Sequence, residues 1–563
     1  MSGRKQRLEL TWIGKDERPR LEPRILLEDE EKSYHAKARV TENDIFDNIL
    51  IHGDNLLALK ALEQEFTGKV KCAFIDPPYN TGSAFEHYDD GLEHSVWLSL
   101  MRDRVEIIRK LLSDDGSLWV ILNDEEAHYF KVICDEVFGR NCFVATVVWK
   151  HSDNSNNNVL RFSEDHNYII VYSKRRDWAP KFLDDASKRK HFKNPDNDPR
   201  GPWFDGNPLN NPALRPNLQY TVTSPTGYEI PHPPNGWRWS KETLLEKIAI
   251  GEIRYTPDGK GLRRRTYLAD MKGLPPSTLW ANVDETGHTR QAKYELKALF
   301  PDVPVTSLFD TPKPERLAHK VLELASDPGD LVLDSFAGSG TTGAVAHKMG
   351  RRWIMVELGE HCQTHIVPRL RKVVDGADQG GISEVVDWKG GGGFRCYRLA
   401  PSLLEKDAWD NWVISKEYDA TKVAQAVCKL MGFVYQPDET HYWMQGRSSE
   451  TDFIYVTTQS LTHEQLAAIS EEVGDERTLL VCCKAFRAEP DAFPNLTIRK
   501  IPQTVLRKCE WGRDDYSLNV ANLPEAPRGP DEPDSPRAAN KAAQKKGRKS
   551  APQDDLFGGE GGK

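Results

Sequence analysis

Phe74-Ile75-Asp76-Pro77-Pro78-Tyr79-Asn80-Thr81-Gly82-Ser83 decides how the rest of the chain is read. The residues before it, Val70-Lys71-Cys72-Ala73-Phe74-Ile75, are the short apolar run of a buried strand. Two prolines cannot donate to a sheet ladder, so the strand ends at Asp76. The prolines also stiffen the turn and hold Asp76 and Tyr79 at the carboxyl edge of a sheet, where open α/β sheets bind ligands. A hydrogen-bond acceptor, a rigid turn and an aromatic face thus fall within four residues.

Working outward, Asn48 to Asn55 is a strand that ends in a Gly53-Asp54 turn, and Leu56 to Phe66 has helical spacing. With Val70–Ile75 this makes a right-handed βαβ unit, in which Asp54 stands where a helix N-cap belongs. Downstream, Trp97 to Leu112 is an amphipathic helix, Ser117 to Asn123 a strand and Glu125 to Phe138 a helix. Phe143–Trp149 and Asn167–Tyr172 are further strands. The alternation predicts α/β architecture with a mostly parallel sheet.

A second signal lies far along the chain. Strand Asp330–Asp334 runs into Ser335-Phe336-Ala337-Gly338-Ser339-Gly340-Thr341-Thr342-Gly343. Glycines there let backbone pass close under a ligand at the mouth of a helix. The next strand, Trp353–Glu357, ends in an acid 23 positions after Asp334. A Gly-rich strand-to-helix turn with an acid about 20 residues on suits an adenosine-type ligand, with the acid on the ribose hydroxyls. The dinucleotide spacing and the Gly-Lys-Ser/Thr ending of a P-loop are both missing. Between the two signals, residues 151–300 carry 23 Lys/Arg against 18 Asp/Glu in a chain of net charge −9. Basic residues interleaved with Trp, Tyr and Asn suit a surface that meets phosphates and base edges.

Asp76-Pro77-Pro78-Tyr79 resembles the catalytic motif of DNA amino-methyltransferases, and Asp334-x-Phe336-x-Gly338-x-Gly340 resembles their S-adenosylmethionine motif, with Ser335 where the family usually has Pro. The order, Asp-Pro-Pro-Tyr first and the Gly-rich motif last, resembles the β group, including the modification subunits of type III restriction systems. Asp198-Pro199-Arg200-Gly201 and Thr311-Pro312-Lys313-Pro314 resemble that subgroup too. The resemblance implies a Rossmann-like methyltransferase sheet in permuted order with an inserted target recognition domain. It implies Asp76, Pro77, Pro78 and Tyr79 as catalytic residues. It implies Asp54, Asp334, Phe336, Ala337, Gly338, Gly340 and Glu357 as residues for S-adenosylmethionine, with Asp54 near its adenine, and no metal.

The implied substrate is double-stranded DNA with the target adenine flipped out of the stack, since its amine cannot be reached inside the duplex. Asp before Pro-Pro-Tyr usually accompanies adenine N6 in the family, and Ser cytosine N4. The implied activity is therefore a site-specific, adenine-specific DNA methyltransferase of a restriction-modification or phage-defence system. Cytosine N4 methylation, or a specificity subunit that directs a partner nuclease or helicase, are the alternatives.

The expected segments are an N-terminal arm (1–45), the first catalytic half (46–176), target recognition (177–300), the second catalytic half (301–375) and a Gly-rich linker (376–395). A small C-terminal α/β unit for docking or dimerisation (396–523) and a tail unable to fold alone (524–563) follow. A homodimer would help hold a duplex. Arg537 to Lys549, basic and without an acid, fits either a phosphate-touching arm or a solvated tail. Gln553, Leu556 and Phe557 resemble the Gln-x-x-Leu-Phe peptide that docks on bacterial sliding clamps, with Asp554 where an aliphatic is typical. Nine cysteines without a Cys-x-x-Cys predict reduced thiols in a cytoplasm, and the absence of an 18-residue apolar run predicts no membrane span.

Overall fold

The apolar runs become strands of one eleven-stranded mixed sheet. The computed structural model describes residues 9–517, apart from 80–83, 86–87, 90–93, 155–161, 183–188, 207–208, 272, 490, 502 and 507. In chain order the main strands are β1 (Leu26–Glu28), β2 (Asn48–His52), β3 (Val70–Ile75), β4 (Leu112–Leu122) and β5 (Phe143–Lys150). Then come β6 (His166–Ser173), β7 (Leu279–Trp280), β8 (Leu331–Asp334), β9 (Arg352–Glu357) and β10 (Gly393–Leu399). Their order across the sheet is β1-β10-β2-β9-β8-β3-β4-β6-β5-β7, with Tyr34–His35 beside β10. From β10 to β4 all neighbours are parallel. β6 then turns back antiparallel onto β4, and β5 onto β6.

Helices α1 (Asn55–Phe66) and α2 (His94–Leu111) cover one face of the sheet and α4 (Glu315–Ala325), α5 (Thr341–Lys348) and α6 (Val367–Val374) the other, while α3 (Thr289–Leu299) packs in a separate small core with Leu308 and Phe309. Successive β3 residues point to opposite faces. Ala73 and Ile75 pack with Leu57, Trp97 and Met101 of α1 and α2. Cys72 and Phe74 pack with Leu317, Val345 and Leu370 of α4, α5 and α6. Burial on both sides explains why the strand is a continuous apolar run rather than an alternating one. This is the expected Rossmann-like sheet, and it places β3 and β8, the strands carrying the two motifs, side by side.

Two expected segments take another form. Residues 22–35, expected as part of the N-terminal arm, join the sheet: β1 pairs antiparallel with β10, Tyr34–His35 pairs with its start, and buried Arg24 holds buried Glu22 at 2.7 Å. Strands of three and two residues carry no readable period. The expected linker ends as sheet: Gly391 donates its N–H to the Val374 carbonyl (2.8 Å), and Gly393 starts β10. Gly391 is there because its φ is 111° and a Cβ would meet Asp44 Oδ2 at 2.6 Å.

The inserted region has its own three-stranded antiparallel sheet (Trp203–Gly206, Leu262–Tyr267, Ile253–Tyr255) and a small core around Trp237, Leu244 and Ile253. Beyond β10 a five-stranded sheet includes Asp452–Val456, Thr478–Cys483 and Leu496–Lys500, with Cys482 and Cys483 buried in cores. No helix among the described residues is long and apolar enough to cross a membrane. The tail from 524, with its basic run and Gln553–Phe557, lies outside the described residues.

Candidate active site

Where β3 stops, Asp76 projects from the carboxyl edge of the sheet. Its Oδ1 accepts the Tyr79 hydroxyl at 2.9 Å, and its Oδ2 pairs with the Lys313 ammonium. Asn167 of β6 donates Nδ2–H to the Tyr79 hydroxyl at 3.3 Å, and the Lys313 ammonium stands 5.2 Å from the Tyr79 ring centre. Buried Trp97 of α2 donates its indole N–H to the Pro78 carbonyl at 2.7 Å, which fixes the two-proline turn from behind. The carboxylate therefore has a defined direction before any substrate arrives.

Beside it, β8 ends at buried Asp334, which accepts the Phe336 N–H at 3.0 Å. Burial, reinforced by the charges of Asp76 and Glu357, pushes the Asp334 carboxyl up to about 7. Gly338 and Gly340 take φ of 52° and 76°, the left-handed region, and Gly340 opens α5. A Cβ on Gly340 would come within 2.9 Å of Ile366, so the turn and the start of α6 can approach only with glycine. At the end of β9, buried Glu357 accepts the N–H groups of Gly338 (2.8 Å), Leu358 (2.9 Å) and Gly359 (3.0 Å), and His361 Nε2 lies 3.2 Å away. Burial alone would raise this carboxyl; His361 and the backbone donors hold it below its ordinary value.

One cavity is lined by Asp76, Pro77, Pro78 and Tyr79 on the β3 side and by Asp334, Phe336, Ala337 and Gly338 on the β8 side. Gly340 and Glu357 support the turn from behind. Asp54 is elsewhere: its Oδ1 accepts Leu56 N–H (2.9 Å) and Leu57 N–H (3.0 Å), its Oδ2 accepts Tyr516 N–H (2.9 Å), and Arg104 is 3.6 Å away. It is the N-cap of α1, and its neighbour Asn55 reaches the motif instead, donating Nδ2–H to the Ser335 carbonyl at 2.7 Å. Lys313, Asn167 and His361 were not legible as site residues. Only the Thr-Pro-Lys-Pro stretch gave any signal, for Lys313.

In the inserted region many cations are matched within the same unit. Arg265 pairs with Asp196 and Asp198, Arg264 and Lys247 with Glu252, and Arg254 with Asp205. Arg238 and Arg263 are exposed and have no ion pair among the described residues.

With this geometry in hand, comparison with known proteins is specific. A protein-family profile described as DNA methylase matches residues 70–367, more than half of the chain and the whole span from β3 to the start of α6. The chain belongs to that family. It is 32% identical over 337 residues to the type III restriction-modification enzyme StyLTI Mod subunit of Salmonella typhimurium, covering 54% of this chain and 50% of that one. It is 30% identical over 416 residues to the EcoPI Mod subunit of Escherichia phage P1, covering 61% of each. It is also 31% identical over 327 residues to the type II methyltransferase M.EcaI of Enterobacter cloacae, covering 56% of this chain and 67% of that one. The chain thus spans between half and about three fifths of the length of these type III relatives.

Proposed function

We propose that the chain transfers a methyl group from S-adenosylmethionine to the N6 amine of adenine within a specific DNA sequence, as the modification component of a restriction-modification system. The observation that carries this reading is the shared cavity. The Asp76 carboxylate and the Pro-Pro-Tyr turn face the Phe336–Gly338 turn across the carboxyl ends of two adjacent parallel strands. Membership of the DNA methylase family and the names of the Mod relatives support it.

The residues present fit the cofactor. Phe336 offers an aromatic face, Gly338 a backbone free of side chain, and Glu357 a buried carboxylate directly beneath that glycine. Phe336, Ala337, Gly338 and Asp334, which line the cavity, would hold it, with Glu357 fixing the Gly338 turn, and when bound it supplies an activated methyl group. The chain's own part is positioning and hydrogen bonding. Adenine's amine is a poor nucleophile because its lone pair is conjugated with the ring. Asp76, oriented by Tyr79, would accept a hydrogen bond from the amine and favour the tetrahedral nitrogen that attacks. The Tyr79 ring would stack on a base taken out of the duplex. Lys313 must give up its hold on Asp76 Oδ2, or share it, for the amine to reach both oxygens.

The inserted region, with Arg238 and Arg263 outward, is the reading's DNA surface. A restriction subunit is its expected partner, by analogy with what the Mod relatives' names state. The test is transfer of labelled methyl from S-adenosylmethionine to unmethylated DNA by the purified chain, followed by nucleoside analysis. Label in N6-methyladenine is expected. Asp76→Ala lowers transfer by at least about a hundredfold while cofactor binding survives. Label in N4-methylcytosine, or full activity of Asp76→Ala, overturns the assignment.

A further inference from the structure

Beneath the cavity lies a buried, charge-balanced cluster that the proposed chemistry does not use. Glu315 opens α4, Lys348 closes α5, Arg369 is on α6 and Asp378 follows it; all four are at least nine-tenths buried. Lys348 holds Glu315 at 2.8 Å and Asp378 at 2.9 Å, and Arg369 holds Glu315 at 2.9 Å. Two cations face two carboxylates. A balanced core cluster of this kind can be purely structural.

The second guanidinium nitrogen of Arg369 argues for more. It donates to the Ser339 carbonyl at 3.1 Å and to the Thr341 hydroxyl at 2.9 Å, both in the Gly-rich turn. The Thr341 hydroxyl in turn donates to the Lys313 carbonyl at 3.1 Å, and the Lys313 side chain ends on Asp76. Hydrogen bonds therefore link Glu315 through Arg369 and Thr341 to the Lys313 main chain, and the Lys313 side chain carries the link to the catalytic carboxylate on the other side of the cavity. The inserted region joins it, because the Glu315 N–H donates to Glu295 of α3 at 3.2 Å.

We propose that Arg369, anchored by Glu315, is a positioning residue that fixes the spacing between the Gly-rich turn and the Lys313 segment, and so sets the width of the cofactor cavity. The inference rests on the cofactor reading above. A lysine can keep Glu315 company but cannot reach Ser339 and Thr341 with a planar fork. Arg369→Lys therefore preserves the buried charge balance and removes only the bridge, whereas Glu315→Gln would leave two buried cations short of a partner.

The experiment compares S-adenosylmethionine affinity by calorimetry, thermal midpoint and DNA binding for the full chain, Arg369→Lys, Thr341→Val and the double variant. Arg369→Lys is expected to weaken cofactor binding about tenfold, as for loss of a hydrogen bond to a charged group. DNA affinity stays unchanged, and in turnover KM for cofactor rises while KM for DNA does not. Thr341→Val moves the same way, and the double variant is no worse than the weaker single one, because both break one path. Unchanged cofactor affinity in Arg369→Lys, an equal loss of DNA affinity, or fully additive effects overturn the proposal. A wild-type chain that binds no S-adenosylmethionine fails at the earlier step and overturns the functional reading together with this one.

Discussion

Tyr79 has two separable jobs, because its hydroxyl and its ring meet different neighbours. The hydroxyl donates to Asp76 and accepts from Asn167; the ring faces the cavity. Tyr79→Phe removes the donor and leaves the face, so methyl transfer should fall about tenfold, the scale of a hydrogen bond to a charged group. Tyr79→Ala should fall further, since stacking on a base contributes about 1–3 kcal/mol. Single-turnover rates with both variants separate the two, and a Phe variant as fast as wild type would remove the hydroxyl from the mechanism. At this scale the sequence was informative where the chemistry sits in one short run. Asp76 and Tyr79 are three residues apart, and proline rigidity made their edge position readable. Lys313 lies 237 positions from Asp76, so no local pattern could pair them. Asp54 fitted a cap and a ligand equally, and the Leu56 and Leu57 N–H donors make it the cap.

Elements were readable in proportion to their apolar length. β3 and β8 matched their apolar runs, because strands covered on both faces must be apolar throughout. β1 did not, because a three-residue edge strand is specified by its partner β10 rather than by its own residues. Helix α3 carries a pH effect of its own. Burial, and then the nearby Glu315 charge, push the Glu295 carboxyl up to about 7, although Arg369 and donations from Gln291 and the Glu315 N–H oppose this. An unfolded glutamate titrates near about 4.3. Glu295 thus favours the folded state fully below that pH, and its contribution is lost as pH rises through about 7. Between about pH 5 and about pH 8 the wild type should lose on the order of 2 kcal/mol more stability than Glu295→Gln, measured by urea unfolding at each pH. Parallel curves for the two proteins would mean that the carboxyl stays ionised throughout.

Across the molecule, the motif order of the sequence is undone by the sheet, which brings the first and last thirds of the catalytic region together around β3 and β8. The same closure recruits a segment that sequence reading left to a peripheral unit. Glu510 donates its N–H to the Arg20 carbonyl (2.8 Å), Asp514 receives buried Arg24 at 2.7 Å, and Tyr516 is buried in the core beside α1 and α2. Tyr516 donates its N–H to Asp54, while Arg104 donates to its carbonyl at 3.2 Å. These residues form no motif; their value comes only from the buried Asp54 and Arg104 they satisfy. A chain ending at residue 517 keeps all of these contacts. One ending at residue 508 loses a buried tyrosine and leaves a buried carboxylate and guanidinium short of partners, a cost of about 3–5 kcal/mol. Because Asn55, next to Asp54, holds the Ser335 carbonyl, cofactor affinity should fall in the shorter chain as well. Calorimetric melting and cofactor titration of the two truncations decide it. If the shorter chain melts and binds like the longer one, the C-terminal segment merely rests on the catalytic body.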